Sequence, residues 1–248
     1  MRYEQVEGRR AVLEALKGSR PVYELLMAEG MKPARILEDI TAAARSKRIS
    51  LTFMPRREID RLARSDNHQG VVARVEPYRY ANFKGVLRFL EEKEEEDSLV
   101  VLLDGVTDPR NLGSIARTCE ATGVDALLLP RSRAAPVTPA VFHSSAGAVE
   151  NLTVATVPNL ASVMRELKAV GLWIVGADAA VEKSCYEADL TGPIALVMGS
   201  EGGGLHRLVR ETCDILVRVP MFGQTASLNV SVAAAVILYE ALRQRGAT

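Results

Sequence analysis

Cysteine is scarce in this 248-residue chain, which has three. Cys119, Cys185 and Cys213 are far apart, odd in number and in no CxxC pattern, so they provide neither a disulfide framework nor a zinc site and fit a reducing cytoplasm. An excess of one charge is also missing, because 31 Lys and Arg balance 31 Asp and Glu. No apolar stretch is long enough to span a bilayer. The longest nearly uncharged helix candidate, Leu228 to Tyr239, is too short and is interrupted by Asn229 and Ser231. The opening "MRYEQVEGRR" puts charges where a signal peptide needs an apolar run. No internal repeat is evident, and the one biased tract is the acidic "EEKEEED". Two nucleotide signatures are lacking. No GxGxxG follows a first strand with an acid about twenty residues on, and no Lys-Ser or Lys-Thr follows the later glycines as in a Walker loop. The expectation is a cytoplasmic protein, with no metal and no membrane, that is not a dinucleotide oxidoreductase.

What is present is a globular composition, 48% hydrophobic and 25% charged, enough for a substantial core. The charge is unevenly spread. Residues 1–80 carry 16 Lys and Arg against 11 Asp and Glu, and residues 81–104 carry 3 against 7. The basic excess suits either phosphate contact or a solvated arginine-rich surface. In residues 1–76, "GRRAVLEALKG" reads as a helix stopped by Gly18, and "PVYELLMA" reads as extended. "PARILEDITAAARSK" reads as a helix with Ile36, Ile40 and Ala43 on one face, while "ISLTFM" and "GVVARVE" read as strands around the polar loop "SDNHQG". Residues 77–97 form a linker, "PYRYANF", and an amphipathic helix with Phe83, Val86, Leu87 and Leu90 on its apolar side. From residue 98 to 248 the runs "LVVLLD", "ALLLP", "LWIVGA", "IALVMG" and "ILVRVP" are apolar on both faces, as a parallel sheet covered by helices requires. The fold class is α/β.

Ligands of open parallel sheets bind beyond the carboxyl ends of the strands, and three such ends carry unusual text. "DGVTDPRNLGSIART" follows "LVVLLD": Asn111 can cap the next helix, Ile115, Ala116 and Cys119 form its buried face, and Arg117 points away. An exposed helix arginine is the bland alternative, but Asp104, Asp108 and Asn111 crowd into the same turn. "LVMGSEGGGL" places Glu201 among glycines that suit either a tight turn or a close backbone approach to a ligand. "VPMFGQTASLNVSVAAAVILYE" opens an apolar helix with Ser227, an N-cap candidate, and Asn229.

Together these blocks resemble the three motifs of the SpoU/TrmH family of SPOUT RNA ribose 2'-O-methyltransferases. "EGRRAVLEAL" and "NHQGVVA" resemble the ribosomal-protein-like substrate-binding domain that many members carry. The resemblance implies a trefoil-knotted, mainly parallel α/β domain, although threaded chains are otherwise almost absent from proteins. It also implies S-adenosyl-L-methionine as cofactor, held by Ala177, Gly199, Val219, Met221 and Leu228 largely through backbone groups and apolar contact. Asn111, Arg117, Glu201, Ser227 and Asn229 match active-site positions. Further implications are a homodimer through the last helix and a 23S rRNA guanosine as substrate.

A guanidinium stays protonated in proteins, so Arg117 is expected to stabilise the nascent alkoxide and clamp a phosphate rather than act as a base. Arg9, Arg10, His68 and Gln69 are candidate RNA contacts, with a turn-satisfying role open for His68. His143 and Ser144 before the "SAGA" stretch, and Gln224 and Thr225 before "SLN", depart from the family pattern and bear on substrate preference. A tRNA ribose methyltransferase and a non-catalytic rRNA-binding protein are the rival readings.

Overall fold

The computed structural model describes residues 3–18, 20–64, 68–93, 98–225 and 227–246. The chain divides into two compact units, residues 1–79 with 136–151, and residues 80–135 with 152–248. The sequence places 136–151 inside the second domain, whereas the structure packs that stretch with the first unit.

The first unit starts with β1 (Glu4–Glu7), α1 (Arg9–Lys17), β2 (Val22–Ala28), α2 (Arg35–Ser46), β3 (Ser50–Met54), α3 (Arg56–Leu62) and β4 (Val71–Val75). Its sheet runs β1-β4-β2-β3, with β2 and β3 parallel and β4 antiparallel to both neighbours. Gly18 ends α1, its amide donating to the Glu14 carbonyl. The buried stripe of α2 is Leu37, Ile40 and Ala44, which keeps the expected Ile40 and takes the neighbours of Ile36 and Ala43 in place of those two. Helix α3 was not foreseen, because its seven residues, "RREIDRL", bury only Ile59.

In the second unit come α4 (Phe83–Glu92), β5 (Leu99–Asp104), α5 (Pro109–Ala121) and β6 (Ala126–Pro130). The chain then contributes α6 (Pro139–Ser144) and a 3-10 turn (Ala148–Asn151) to the first unit. There the Arg20 guanidinium pairs with Glu150 and lies 4.3 Å from the Phe142 ring centre. Burial raises the Glu150 pKa, and Arg20 offsets only part of that. Removing either charge would strand the other away from water. The second unit resumes with β7 (Val154–Val157), α7 (Leu160–Ala169), β8 (Trp173–Ala177), β9 (Ile194–Gly199), α8 (Arg207–Thr212), β10 (Ile215–Val217) and α9 (Val230–Gln244).

The six strands form one sheet in the order β10-β8-β9-β5-β6-β7, with every pairing parallel. All six residues of β5 and of β9 are buried, as the two-sided apolar runs require. All five expected strands form. The sixth, β7, is only four residues long, too short for "VATV" to establish a period. No helix among the described residues is long and apolar enough to cross a membrane.

Two features of this topology place the site. The chain leaves β5 toward β6 and leaves β9 toward β10, on opposite sides. The loops therefore part at the β5–β9 boundary, the switch point where open α/β sheets bind ligands. Helix α9 packs against α5 and β9. Its fifteen residues cover about 22 Å, close to the ~20 Å of a six-residue strand. At its far end Gln244 Nε2 donates to the Ala188 carbonyl at 3.0 Å, and Arg245 donates to the carbonyls of Leu190 at 3.2 Å and Gly192 at 2.6 Å.

Candidate active site

Strand β5 ends at Asp104, opposite Gly199 of β9. After β5 the chain turns at Gly105 (φ +81°) and enters α5 through Asp108. The Asp108 side chain accepts from the Arg110 amide at 2.7 Å, and Pro109 takes the first helical position. Asp108 is thus the cap, not Asn111 as the sequence suggested. Proline needs no partner at the first position, so the helix starts three residues early and the Asn111 side chain is left for other work.

After β9 the glycine-rich stretch closes on itself. Ser200 and Gly204 exchange two backbone hydrogen bonds of 3.0 Å, with Glu201, Gly202 and Gly203 as the tip. Gly202 (φ +76°) and Gly204 (φ +62°) are left-handed, a conformation glycine takes without Cβ strain. A Cβ at Gly199 would lie 2.3 Å from the Gly204 carbonyl carbon, so strand end and loop pack backbone to backbone.

Helix α9 is capped by Asn229, whose Oδ1 accepts from the Ser231 amide at 2.9 Å and the Ser231 hydroxyl at 2.6 Å. Ser227, the expected cap, lies two residues too early and is not the cap. It lines the neighbouring cavity with no hydrogen-bond partner among the described residues.

Three side chains meet at the switch point. Asn111 Nδ2 donates to Glu201 Oε1 at 2.8 Å, and Asn229 Nδ2 donates to the same oxygen at 2.5 Å and to Asn111 Oδ1 at 3.0 Å. Each comes from a different strand end or helix start, so three separate motifs are joined by hydrogen bonds. Both bonds to the carboxylate use Oε1, which leaves Oε2 open among the described residues.

Beside this triad is a cavity of about 470 Å³ under the ends of β8, β9 and β10 and the start of α9. Ala177, Gly199, Val219, Met221 and Leu228, the five positions expected to hold the cofactor, all line it, as do Glu201, Ser227 and Asn229. Val230, Ala233 and Ile237, at helical spacing on α9, form its apolar wall. Asp178 at the rim was not foreseen. Burial raises its pKa, but the Ala180 amide and the Arg210 guanidinium outweigh this and hold it below the usual aspartate range. The size suits a small-molecule site. The mix of apolar side chains and glycine backbone fits a nucleoside with a short polar tail.

Arg117 stands apart. It is exposed on α5, does not line the cavity and has no carboxylate or hydrogen-bond partner among the described residues. Six helical residues from Asn111 place it about 120° away around the axis, on the other flank of the buried stripe.

In the first unit, His68 is buried at 5% exposure. Its Nδ1 accepts from the Gly70 amide at 3.2 Å and its Nε2 faces Asp60 at 3.1 Å. It satisfies a turn, the role the sequence left open beside RNA contact, and is largely withdrawn from solvent. Gln69 (φ +53°) is exposed, and its side chain accepts from the Arg9 amide at 3.2 Å. Arg10 is also exposed.

Sequence reasoning missed one further arrangement. Asp104, 6% exposed, accepts from the His206 amide at 2.7 Å and faces His206 Nδ1 at 2.9 Å. The Nε2 of that ring lies 3.5 Å from Arg133. The available signal was a strand-terminal aspartate together with the histidine after "GSEGGGL".

A parallel sheet with a cofactor-sized cavity and a polar triad at its switch point marks an α/β domain built to bind a small molecule there. Comparison with known proteins narrows this. Residues 98–239 match the SpoU rRNA Methylase family and residues 5–81 match the RNA 2'-O ribose methyltransferase substrate binding family. The chain belongs to the SpoU/TrmH family of RNA methyltransferases, a class whose methyl donor is S-adenosyl-L-methionine. YacO of Bacillus subtilis, which carries the name of the TrmH tRNA/rRNA methyltransferase family, is 41% identical over 98% of this chain and 96% of its own length. The SpoU methyltransferase AviRb of Streptomyces viridochromogenes, solved with AdoMet, is 32% identical with a TM-score of 0.80, covering 98% of this chain and 91% of its own. An AdoMet-bound rRNA methyltransferase of Sinorhizobium meliloti is 28% identical with a TM-score of 0.79, covering 98% and 87%.

Proposed function

We propose that this enzyme methylates the ribose 2'-hydroxyl of a guanosine in 23S rRNA, using the cavity beside the Asn111–Glu201–Asn229 triad for S-adenosyl-L-methionine. The observation that carries the reading is the joining of three motif residues at the rim of a cavity that all five expected donor positions line. Bound there, the cofactor supplies an electrophilic methyl group. The chain supplies position and charge. The apolar wall and glycine backbone seat the donor, while Glu201 Oε2 and the Ser227 hydroxyl face the rim with bonding capacity to spare and hold the ribose. Orientation of this kind lowers a displacement barrier substantially. Arg117 stands outside the cavity of its own copy, so in the homodimer it completes the partner copy's site. There it stabilises the negative charge that builds on the attacking oxygen, and a substrate phosphate takes the proton.

The ribosomal substrate is favoured by the N-terminal match to a substrate-binding family and by an rRNA methyltransferase among the structures that cover both units. Arg9, Arg10 and Gln69 are the first unit's RNA contacts. Helix α9 leaves Val232 and Tyr239 exposed at 47% and 55%, and their heptad spacing puts both on one face. That face pairs two copies into a homodimer, and sedimentation at micromolar concentration will give the dimer mass; a monomer alone would refute it.

The test of function uses RNA from a host strain lacking the gene, purified enzyme and tritiated donor. Label is expected in 23S rRNA, at one guanosine ribose, and not in tRNA. Label confined to tRNA would establish the rival methyltransferase, and no label in either would leave an RNA-binding protein.

A further inference from the structure

Beyond the cavity, the carboxyl edge of the sheet continues from β5 to its neighbour β6. Three exposed arginines lie there: Arg110 after β5, and Arg131 and Arg133 after β6. None has a carboxylate partner among the described residues. Exposed and uncompensated, they give this edge a positive field suited to a polyanion.

Arg133 differs from the other two. Its φ is +58°, a conformation uncommon outside glycine, and its guanidinium approaches His206 Nε2 at 3.5 Å. His206 in turn is tied twice to Asp104, by its amide and by Nδ1. The carboxylate can only accept, so Nδ1 donates to it and the ring is turned with Nε2 toward Arg133. A buried carboxylate thus orients an imidazole, and the imidazole orients a guanidinium. The guanidinium meets no acid, so its remaining N–H groups face solvent. Holding a long side chain in place beforehand reduces the ordering cost of binding, and a guanidinium fork matches phosphate oxygens.

We propose that Arg133, positioned by His206 and Asp104, binds a backbone phosphate of the substrate RNA as the strand leaves the methyl-transfer site over β5 and β6, flanked by Arg110 and Arg131. The inference rests on RNA being the substrate but not on which RNA. His206 and Asp104 are positioning residues, and Arg133 is the one that touches substrate.

The experiment measures steady-state methyl transfer to RNA, along with binding of a fluorescent single-stranded oligoribonucleotide at several salt concentrations. Arg133→Ala is expected to raise KM for RNA severalfold with kcat and donor affinity unchanged. It should also flatten the log affinity against log salt line by about 0.7, the share of one phosphate on a single strand. His206→Ala should move KM in the same direction. The double variant should be no worse than Arg133→Ala alone, because His206 acts only through Arg133. His206→Gln, which restores an acceptor, should recover part of the loss. An unchanged KM and salt slope in Arg133→Ala would overturn the proposal, and so would losses that simply add in the double variant. A fall in kcat at constant KM would assign the relay to the chemistry instead and likewise overturn it. Arg133 is exposed, so its variant folds even if His206→Ala weakens the start of α8. If the enzyme labels no 23S rRNA, the proposed ribosomal substrate fails, while the oligoribonucleotide salt slope still decides the relay.

Discussion

Arg117→Ala is expected to lower methyl transfer by about a hundredfold or more, the loss typical when a group that stabilises transition-state charge is removed, while donor affinity stays nearly constant. Constancy is expected because Arg117 does not line the donor cavity. A large catalytic loss is expected because the side chain is exposed on α5 with no partner among the described residues, so its charge is not committed to the fold. Arg117→Lys should recover little, since a point charge cannot replace a planar fork that bridges phosphate and ribose oxygens. The rate of each variant under saturating RNA and donor, with donor Kd from calorimetry, is the measurement. Near-normal turnover in Arg117→Ala would remove this residue from the mechanism. A proportional loss of donor affinity would mean that it shapes the cavity after all.

Gly199→Ala is the second large effect. The new methyl would lie 2.3 Å and 2.5 Å from the Gly204 carbonyl carbon and oxygen, and 2.6 Å from the Leu205 amide. All three are backbone atoms, so no side chain can swing aside. Either β9 shifts against its neighbours or the Ser200–Gly204 loop opens, and the loop carries Glu201. Both the donor wall and the triad are lost. Calorimetry is expected to detect no donor uptake at concentrations that saturate the parent, and overpacking of this kind costs about 1–3 kcal/mol of stability or more. Gly202→Ala is the control. Nothing lies within 4 Å of its added methyl, so only the left-handed backbone is penalised, at about 1–2 kcal/mol. Donor binding by Gly199→Ala at parental affinity would show that the loop is not the donor's seat.

Much of this architecture was legible in the sequence, for definite physical reasons. Strands buried on both faces need apolar residues at every position, and "LVVLLD", "ALLLP" and "IALVMG" announce themselves. Strand β7 and helix α3 were missed because each is too short to establish a period. The site was legible as motif residues but not as bonds. Nothing local says that Asn111 and Asn229 share one oxygen of Glu201, since the two lie 90 and 28 positions from that glutamate. The cap assignments failed for a related reason. Asn111 and Ser227 both obey capping preferences, and backbone geometry, not residue type, decided that the caps are Asp108 and Asn229. The sequence left two roles open for His68 because burial does not follow from a polar loop's composition.

The span of α9 ties two distant places together. Its N-cap Asn229 serves the triad, and its far end grips the segment leading into β9 through Gln244 and Arg245. Neither of those two residues lines the cavity. A change at either one is nevertheless expected to reach Glu201, because the helix that carries Asn229 would lose its remote anchor.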